Sequence, residues 1–162
     1  MNWILDWAAA AASGISGAGG KGSHLGLMAE LGIPVPPGFV IDAAASAGRG
    51  PGDMLDASVV SSLADALQSR GWGDVPLAVR SSASSEDSIR ASFAGIYRTC
   101  LNVRGLAGLV DAVQHVLDSY WEPTAVAYRE RLGLTGEGAG MAVIVMPMLP
   151  AVASGVAFTC DP

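Results

Sequence analysis

Apolar side chains recur with helical spacing in several segments of the chain. Residues 55–70 are the clearest case, because one stripe of the predicted helix carries Leu55, Val59, Val60, Leu63 and Leu67. Gly71 follows and is expected to end this helix. Further helices are predicted at 22–31, 106–120 and 123–132, the first of them buried around most of its circumference.

Short apolar runs between these helices predict strands. The predicted strands are 39–41, 77–79, 96–103, 141–146 and 155–160. The run at 141–146 is apolar throughout, which favours a strand buried on both faces. Segments rich in turn-forming or polar residues at 43–53 and 81–88 predict loops. Because helices and strands are mixed along the chain, the predicted fold class is α/β or α+β.

Length and charge narrow the range of functions. The chain has 162 residues, enough for one domain with a core, and its 51% hydrophobic and 15% charged residues exclude a disordered chain. Its net charge is −6, and no basic stripe is present, so we expect no nucleic-acid-binding face. Cys100 and Cys160 lack the spacing of a zinc site and are expected to be inert thiols.

No apolar run is long enough to predict a membrane-spanning helix. No basic residue precedes Lys21, so the charged start of a secretory signal is missing. We therefore expect a cytoplasmic protein with no membrane segment.

The first candidate for chemistry is the glycine cluster at residues 19–22, which contains Lys21. Glycines let backbone N–H groups approach a ligand, and a helix that starts after them offers its positive end to an anion. Lys21 adds a full charge, so this segment is a candidate phosphate cradle. The alternative is a flexible hinge with a solvated lysine.

The glycine cluster does not fit either of two common glycine-rich motifs in full. The Walker A pattern fails because Ile15 stands at its first glycine and Gly22 at its Ser/Thr position. The dinucleotide fingerprint matches residues 17–22, with Asp42 downstream, but it requires a preceding strand. Residues 7–14 are alanine-rich and favour no strand, so a Rossmann unit is kept only as a minor alternative.

Three further segments carry candidate binding residues. Arg80, predicted at the end of a strand, has a planar donor fork that suits phosphate oxygens, although a surface arginine in a serine-rich turn is the simpler interpretation. Residues 92–95 have the composition of a small flap, or of an ordinary loop whose aromatic side chain packs on the core. The end of the 141–146 strand could line an adenine slot, with a backbone donor such as Met148, or could be plain core.

Together these segments resemble a known family. The sequences GGKGSHLGLMAELGIPVPPGFVI, LAVRSSASSEDSIRASFAGIYRTCLNV and AVIVMPMLPAVASGVAFTCDP are similar, in this order, to signatures of the ATP-grasp nucleotide-binding domain of phosphoenolpyruvate synthase and pyruvate phosphate dikinase. The resemblance covers nearly the whole chain. It implies that residues 1–162 form the N-terminal portion of one ATP-grasp domain, incomplete at its C-terminus.

The resemblance also implies roles for particular residues. In such enzymes this domain binds Mg²⁺ and ATP and passes phosphate to a histidine on a separate swivelling domain, which carries it to pyruvate or another acceptor. Lys21 and Arg80 match the phosphate contacts of the family. The flap over the phosphates corresponds to Ser92, Phe93, Ala94 and Gly95. The segment beside adenine corresponds to Met146, Met148 and Leu149.

Several departures from the family pattern bear on these roles. The family often has glutamine where Met146 stands and an acidic residue where Arg98 stands. The magnesium ligands of the family lie beyond Pro162, so the resemblance assigns no metal ligand here. The expected partners are ATP and the second half of the nucleotide cleft, in cis or as a separate subunit, and the swivelling and pyruvate-binding domains are not expected in this chain.

Three alternatives remain at this stage. The chain could be a non-catalytic nucleotide-binding module that pairs with another subunit. It could be a truncated, inactive fragment with exposed apolar surface. His24 could also be a phosphoryl carrier, because its surroundings are similar to the phosphohistidine motif of the swivelling domain, but Lys21 and Gly22 stand where that motif has a hydroxyl group. His115 is expected to be a plain surface or boundary histidine.

Overall fold

The computed structural model describes residues 3–83, 87–88, 91–92, 96–133 and 140–155. The strands, in chain order, are β1 Ile4–Leu5, β2 Phe39–Ile41, β3 Leu77–Ser82, β4 Asp87–Ser88, β5 Ala91–Ser92, β6 Thr99–Val103 and β7 Ala142–Pro147. The helices are α1 Trp7–Glu30, α2 Ala57–Arg70, α3 Gly105–Asp118 and α4 Pro123–Arg131. Short 3-10 turns span Ala43–Ala45 and Ser119–Trp121.

The main sheet has five strands in the order β1-β2-β7-β3-β6, and every pairing is antiparallel. Strands β4 and β5 form a separate antiparallel pair. A mixed fold was predicted and is confirmed, and the antiparallel pairing selects α+β from the two predicted classes. As predicted, β7 is a central strand that is apolar on both faces, with Ala142 to Val145 fully buried.

The two faces of the sheet have different cover. Side chains alternate along a strand, so Leu77 and Val79 of β3 point to one face, where they join the larger core with α2 and α3. Ile144 of β7 and Val40 of β2 point to the other face, where they pack with Ala10 and neighbouring residues of α1. These are called the α2–α3 face and the α1 face below.

Helix α1 departs most from prediction, because it starts at Trp7 rather than near residue 22. Its backbone is non-helical at Gly14 and Gly19, both with positive φ, so a new helical stretch begins after Gly19 as predicted. The predicted burial around most of this helix is wrong for Leu27, Met28 and Leu31, whereas Leu25 is partly buried against the core. Leu27 is 47% exposed and Leu31 is 78% exposed. The small residues that precede them in the same helical stretch are buried, namely Gly22, Ser23 and Gly26.

The reason is close packing of α1 against itself across its breaks. A Cβ atom on Gly26 would lie 2.5 Å from the Trp7 carbonyl oxygen and 2.6 Å from the Ala11 nitrogen. The side of this helix that faces its own first turns therefore accepts only small side chains at Gly26. Leu25 is partly buried against the α1-face core, whereas Leu27 and Met28 are exposed.

The remaining helices follow their predicted positions closely. Asp56 accepts hydrogen bonds from Ser58 at the start of α2, which lowers the pKa of the Asp56 carboxyl group, and Gly71 ends the helix in the left-handed conformation. Pro123 occupies the first turn of α4, as predicted. The buried stripe of α2 is confirmed at Val59, Leu63 and Leu67.

The boundaries of some strands differ from prediction, and one predicted strand lies almost entirely outside the described residues. Strand β6 begins at Thr99, because residues 96–98 form a turn. Strand β1 was not predicted at all. The prediction at 155–160, with Cys160, lies outside the described residues apart from Gly155. Cys100 is partly buried in β6, and this burial raises the pKa of its thiol although Arg98 opposes the shift, which agrees with an inert cysteine.

Among the described residues, no helix has both the length and the apolar character needed to cross a membrane.

Candidate functional site

Arg80 lies in the interior of β3 and not at its end. The strand continues through Ser81 and Ser82, both buried, so the predicted serine-rich loop at 81–88 is wrong at its first two residues. It is also wrong at Asp87–Ser88, which form β4. Arg80 is the exposed residue of an otherwise buried strand.

Arg80 faces the same side of the sheet as α1, but α1 does not cover it. Ala78, Arg80 and Ser82 alternate with the buried Leu77 and Val79 and therefore point to the α1 face. The partners directly opposite Arg80 are Ile144 on β7 and Thr99 on β6. Thr99 is exposed, so the guanidinium and this hydroxyl group share an uncovered part of the sheet.

The glycine cluster is packed against the end of β3. The Ser82 hydroxyl donates a hydrogen bond to the Ala18 carbonyl (2.8 Å) and accepts one from the Gly22 N–H (2.9 Å). The Gly20 N–H donates to the Ala83 carbonyl at 3.1 Å. A Cβ atom on Gly19 would lie 1.8 Å from the Ser82 carbonyl oxygen, so only glycine fits there.

These bonds change the predicted phosphate cradle. The amide groups of Gly20 and Gly22 bind the end of β3, so they are not the free donors that the glycine-loop hypothesis expected. Lys21 lies between them and is half-buried. The cationic side chains of Lys21 and Arg80 are therefore the groups that could attract an anion here.

The residues predicted beside adenine lie toward the other end of β3. Met146 pairs with Ala78 and packs at the edge of the α1-face core, and Met148 is half-buried. Leu149 is 59% exposed. The Met148 N–H donates to the Pro76 carbonyl at 2.8 Å, so the backbone donor suggested by the sequence is already bonded. Any base contact here has to come from side chains or from other backbone groups.

Of the predicted flap, only Ser92 is described. It lies in β5, directly opposite Asp87 of β4. Phe93, Ala94 and Gly95 lie outside the described residues.

The chain that follows the flap is anchored by an aromatic cluster. Tyr97 stacks on Tyr120 with ring centroids 6.1 Å apart. The Arg129 guanidinium carbon lies 3.7 Å from the centroid of the Tyr120 ring, and Nη1 donates to the Tyr120 carbonyl at 2.6 Å and to the Tyr97 hydroxyl at 3.4 Å. Arg129 is only 8% exposed, so this cluster fixes the position of the chain at Tyr97, two residues after Gly95 in the sequence.

Arg98, where the resemblance led us to expect an acidic residue, forms an ion pair with Glu122. Its Nε atom lies 2.6 Å from the Glu122 Oε1 atom, and its backbone N–H donates to the Ser119 hydroxyl. The neighbouring carboxylate therefore balances the added charge. Because both side chains are substantially exposed, the pair contributes little stability.

The minor candidates lie apart from this arrangement. His24 is exposed on α1 and His115 is exposed on α3, where a surface histidine was expected. Asp42 caps the short 3-10 turn by accepting from the Ala44 N–H. The segment before the glycine cluster is helical, so the strand that a dinucleotide fingerprint requires is missing. In the described part of the chain, no group of three or more His, Cys, Asp or Glu side chains could hold a metal ion.

Residues 52–162 match the model of the pyruvate phosphate dikinase AMP/ATP-binding domain. The chain belongs to this family. The match spans more than half of the chain, from just before α2 to Pro162. The family resemblance stated from the sequence motifs is thereby confirmed.

Similarity to individual dikinase-family proteins extends over most of the chain. A probable phosphoenolpyruvate synthase of Methanothermobacter thermautotrophicus is 34% identical over 90% of this chain and 27% of its own length. The phosphoenolpyruvate synthase of Aeropyrum pernix is 33% identical over 89% of this chain and 22% of its own length. A rifampicin phosphotransferase of Streptomyces sp is 33% identical over 98% of this chain and 22% of its own length. The chain thus spans 22–27% of the length of these relatives.

Sequence reasoning did not foresee the structural roles of two residues at this site, although the serines beside Arg80 were recognised as a source of hydroxyl groups. Thr99 was expected inside a strand, but its place opposite Arg80 depends on the register between β3 and β6, which no local pattern reveals. Ser82 was expected in a solvated turn, because a serine pair after a short strand is typical of one. A prediction that extended the strand through the serine pair would have placed Ser82 correctly.

Proposed function

We propose that this chain binds ATP on the uncovered part of the α1 face, as the nucleotide-binding part of a phosphotransferase of the dikinase family. The observation that carries the proposal is the joining of the Lys21 segment to the strand that carries Arg80. The hydroxyl group of Ser82, two residues after Arg80 on β3, bonds to the backbone of Ala18 and Gly22, on either side of Lys21. Family membership supports ATP as the ligand.

The order of groups along β3 agrees with an extended nucleotide. Met146, opposite Ala78, marks the apolar end, and the glycine cluster at Ser82 marks the cationic end. Arg80 lies between them. The span from Ala78 to Ser82 is about 13 Å at the usual rise of a strand. A base near the methionines and phosphates near Lys21 would use each end for the chemistry it suits.

Phosphoryl transfer depends mainly on positioning and on neutralising charge, and these two cations would supply both. We propose that the phosphoryl group passes to a histidine on a separate swivelling domain and then to pyruvate or a similar acceptor. When bound with the nucleotide, Mg²⁺ would supply further positive charge to neutralise the phosphates. Since the described residues contain no cluster of metal-binding side chains, its protein ligands are proposed to come from the second half of the cleft.

The proposal predicts measurable ATP binding that depends on both cations. Lys21→Ala and Arg80→Ala should each weaken binding by about 1–3 kcal/mol, because each removes a charge-assisted hydrogen bond. Calorimetric titration of ATP into the chain, with and without Mg²⁺, measures this. Arg131→Ala is the matched control, since it removes one exposed charge from α4, and it should leave affinity unchanged. Equal affinities in wild type, Lys21→Ala and Arg80→Ala would remove the assignment.

ATP turnover by this chain alone is expected to be slow or absent, because metal-assisted transfer needs groups that the described residues do not supply. AMP and phosphate release, followed by chromatography, tests this. Robust turnover would contradict the need for a second half of the cleft. The chain could instead bind ATP tightly without turning it over, even when the second half of the cleft is supplied from a phosphoenolpyruvate synthase. That result would favour a non-catalytic nucleotide-binding module.

A further inference from the structure

We propose that Ser82 is a positioning residue that sets the spacing between Lys21 and Arg80. The inference rests on the proposed ATP binding and assigns a role there to a residue that does not contact the nucleotide. Ser82 is fully buried, with 0% of its surface exposed. A buried hydroxyl group requires hydrogen-bond partners, and those of Ser82 are backbone groups of the segment that carries Lys21.

The Ser82 hydroxyl bonds to the chain on both sides of Lys21. It donates to the Ala18 carbonyl at 2.8 Å and accepts from the Gly22 N–H at 2.9 Å. The Gly20 N–H adds a third bond, to the Ala83 carbonyl. The backbone at Lys21 is therefore held against β3 from before and after the lysine.

Arg80 lies on the same strand as Ser82, and its backbone is held by that strand. It precedes Ser82 by two residues on β3, and its strand is paired on both sides, with Ile144 and with Thr99. The serine hydroxyl thus joins the loop that carries one cation to the strand that carries the other. Two cations bind one polyphosphate most tightly when their spacing is fixed. Affinity falls when the contacts that hold the two cations in place are loosened.

A double-mutant cycle tests this role. Ser82→Ala should weaken ATP binding about tenfold. It should leave adenosine affinity unchanged, because the apolar end at Met146 lies opposite Ala78, away from the serine. In the Ser82→Ala background, Lys21→Ala should weaken ATP binding by clearly less than it does in the wild type, since the lysine is already out of place.

Ser46→Ala is the matched control. The Ser46 hydroxyl also joins distant segments, because it accepts from the Met141 N–H at 2.7 Å and lies 3.0 Å from the Ala43 carbonyl oxygen. Its loss should lower the melting temperature without coupling to Lys21. If Ser82→Ala does not fold, Ser82→Cys replaces it in the cycle, because its somewhat larger thiol fills the site but is a weaker hydrogen-bond donor and acceptor than the hydroxyl group.

The outcomes separate this inference from the proposed function. If the wild type binds ATP but the effects of Ser82→Ala and Lys21→Ala add, or if ATP and adenosine affinities fall together, Ser82 is merely structural and the inference is wrong. If the wild type binds no ATP, the proposed function fails. The positioning of Lys21 is then judged by amine labelling, read by peptide mass spectrometry at this single lysine. Faster labelling in Ser82→Ala than in wild type and Ser46→Ala supports it, and equal rates overturn it.

Discussion

Replacing Gly19 with alanine is expected to destabilise the fold by about 2–5 kcal/mol, because two costs act at the same position. The φ angle of Gly19 is +68°, a conformation that alanine adopts only with strain. Its Cβ atom would also lie 1.8 Å from the Ser82 carbonyl oxygen, a backbone atom that cannot rotate away. Urea unfolding followed by circular dichroism measures the change in the free energy of unfolding.

Gly14→Ala is a close control for this experiment. Gly14 has a φ angle of +62° and a similar ψ angle, in the same helix, but nothing lies within 4 Å of the position its Cβ would take. It should cost only the conformational strain, about 1–3 kcal/mol. Equal losses at Gly14 and Gly19 would mean that contact with β3 adds nothing, and the close junction between the glycine cluster and Ser82 would be wrong.

Arg129→Ala is expected to cost about 2–4 kcal/mol, because it removes a charged donor from the buried aromatic cluster. The loss includes the hydrogen bond to the Tyr120 carbonyl and the guanidinium contact with the Tyr120 ring. Thermal and urea unfolding of the purified variant measure it. Because Tyr97 belongs to the same cluster, we also expect the chain after the flap to become more open to proteolysis.

Two further variants make this result specific. Arg131→Ala removes an exposed arginine from the end of the same helix and should change stability by less than about 0.5 kcal/mol. Arg129→Lys keeps the charge but loses the planar fork, so it should recover only part of the stability. Full recovery with lysine would show that charge alone matters. No loss in Arg129→Ala would remove the proposed anchoring role.

The sequence predicted the elements whose signals are local. The stripe of α2, the proline at the start of α4 and the apolar run of β7 each depend on neighbours within a few residues, and each was found. The extent of α1 was missed because two glycines interrupt its backbone. Its predicted burial was wrong for Leu27, Met28 and Leu31, because α1 packs closely on its own first turns at Gly26, which no hydrophobic pattern reports.

At the candidate site, residue types were easier to predict than their geometry. Lys21 and Arg80 were identified from chemistry and family resemblance, but their connection through Ser82 depends on contacts between distant parts of the chain. Because such contacts are not visible in the sequence, free amide donors were predicted at the glycine cluster and at Met148. The fold uses the Gly20, Gly22 and Met148 amides for its own hydrogen bonds.

The order of strands in the sheet has a consequence for how the chain folds. Strand β7, the last described strand, lies between β2 and β3 and pairs with both, whereas β2 and β3 do not pair with each other. Before residues 142–147 leave the ribosome, the sheet has no strand that pairs with both β2 and β3. Pairing of such distant segments requires closing long loops, which slows folding. The nascent chain would therefore expose unpaired strand edges on β2 and β3 until β7 has emerged and pairs with both.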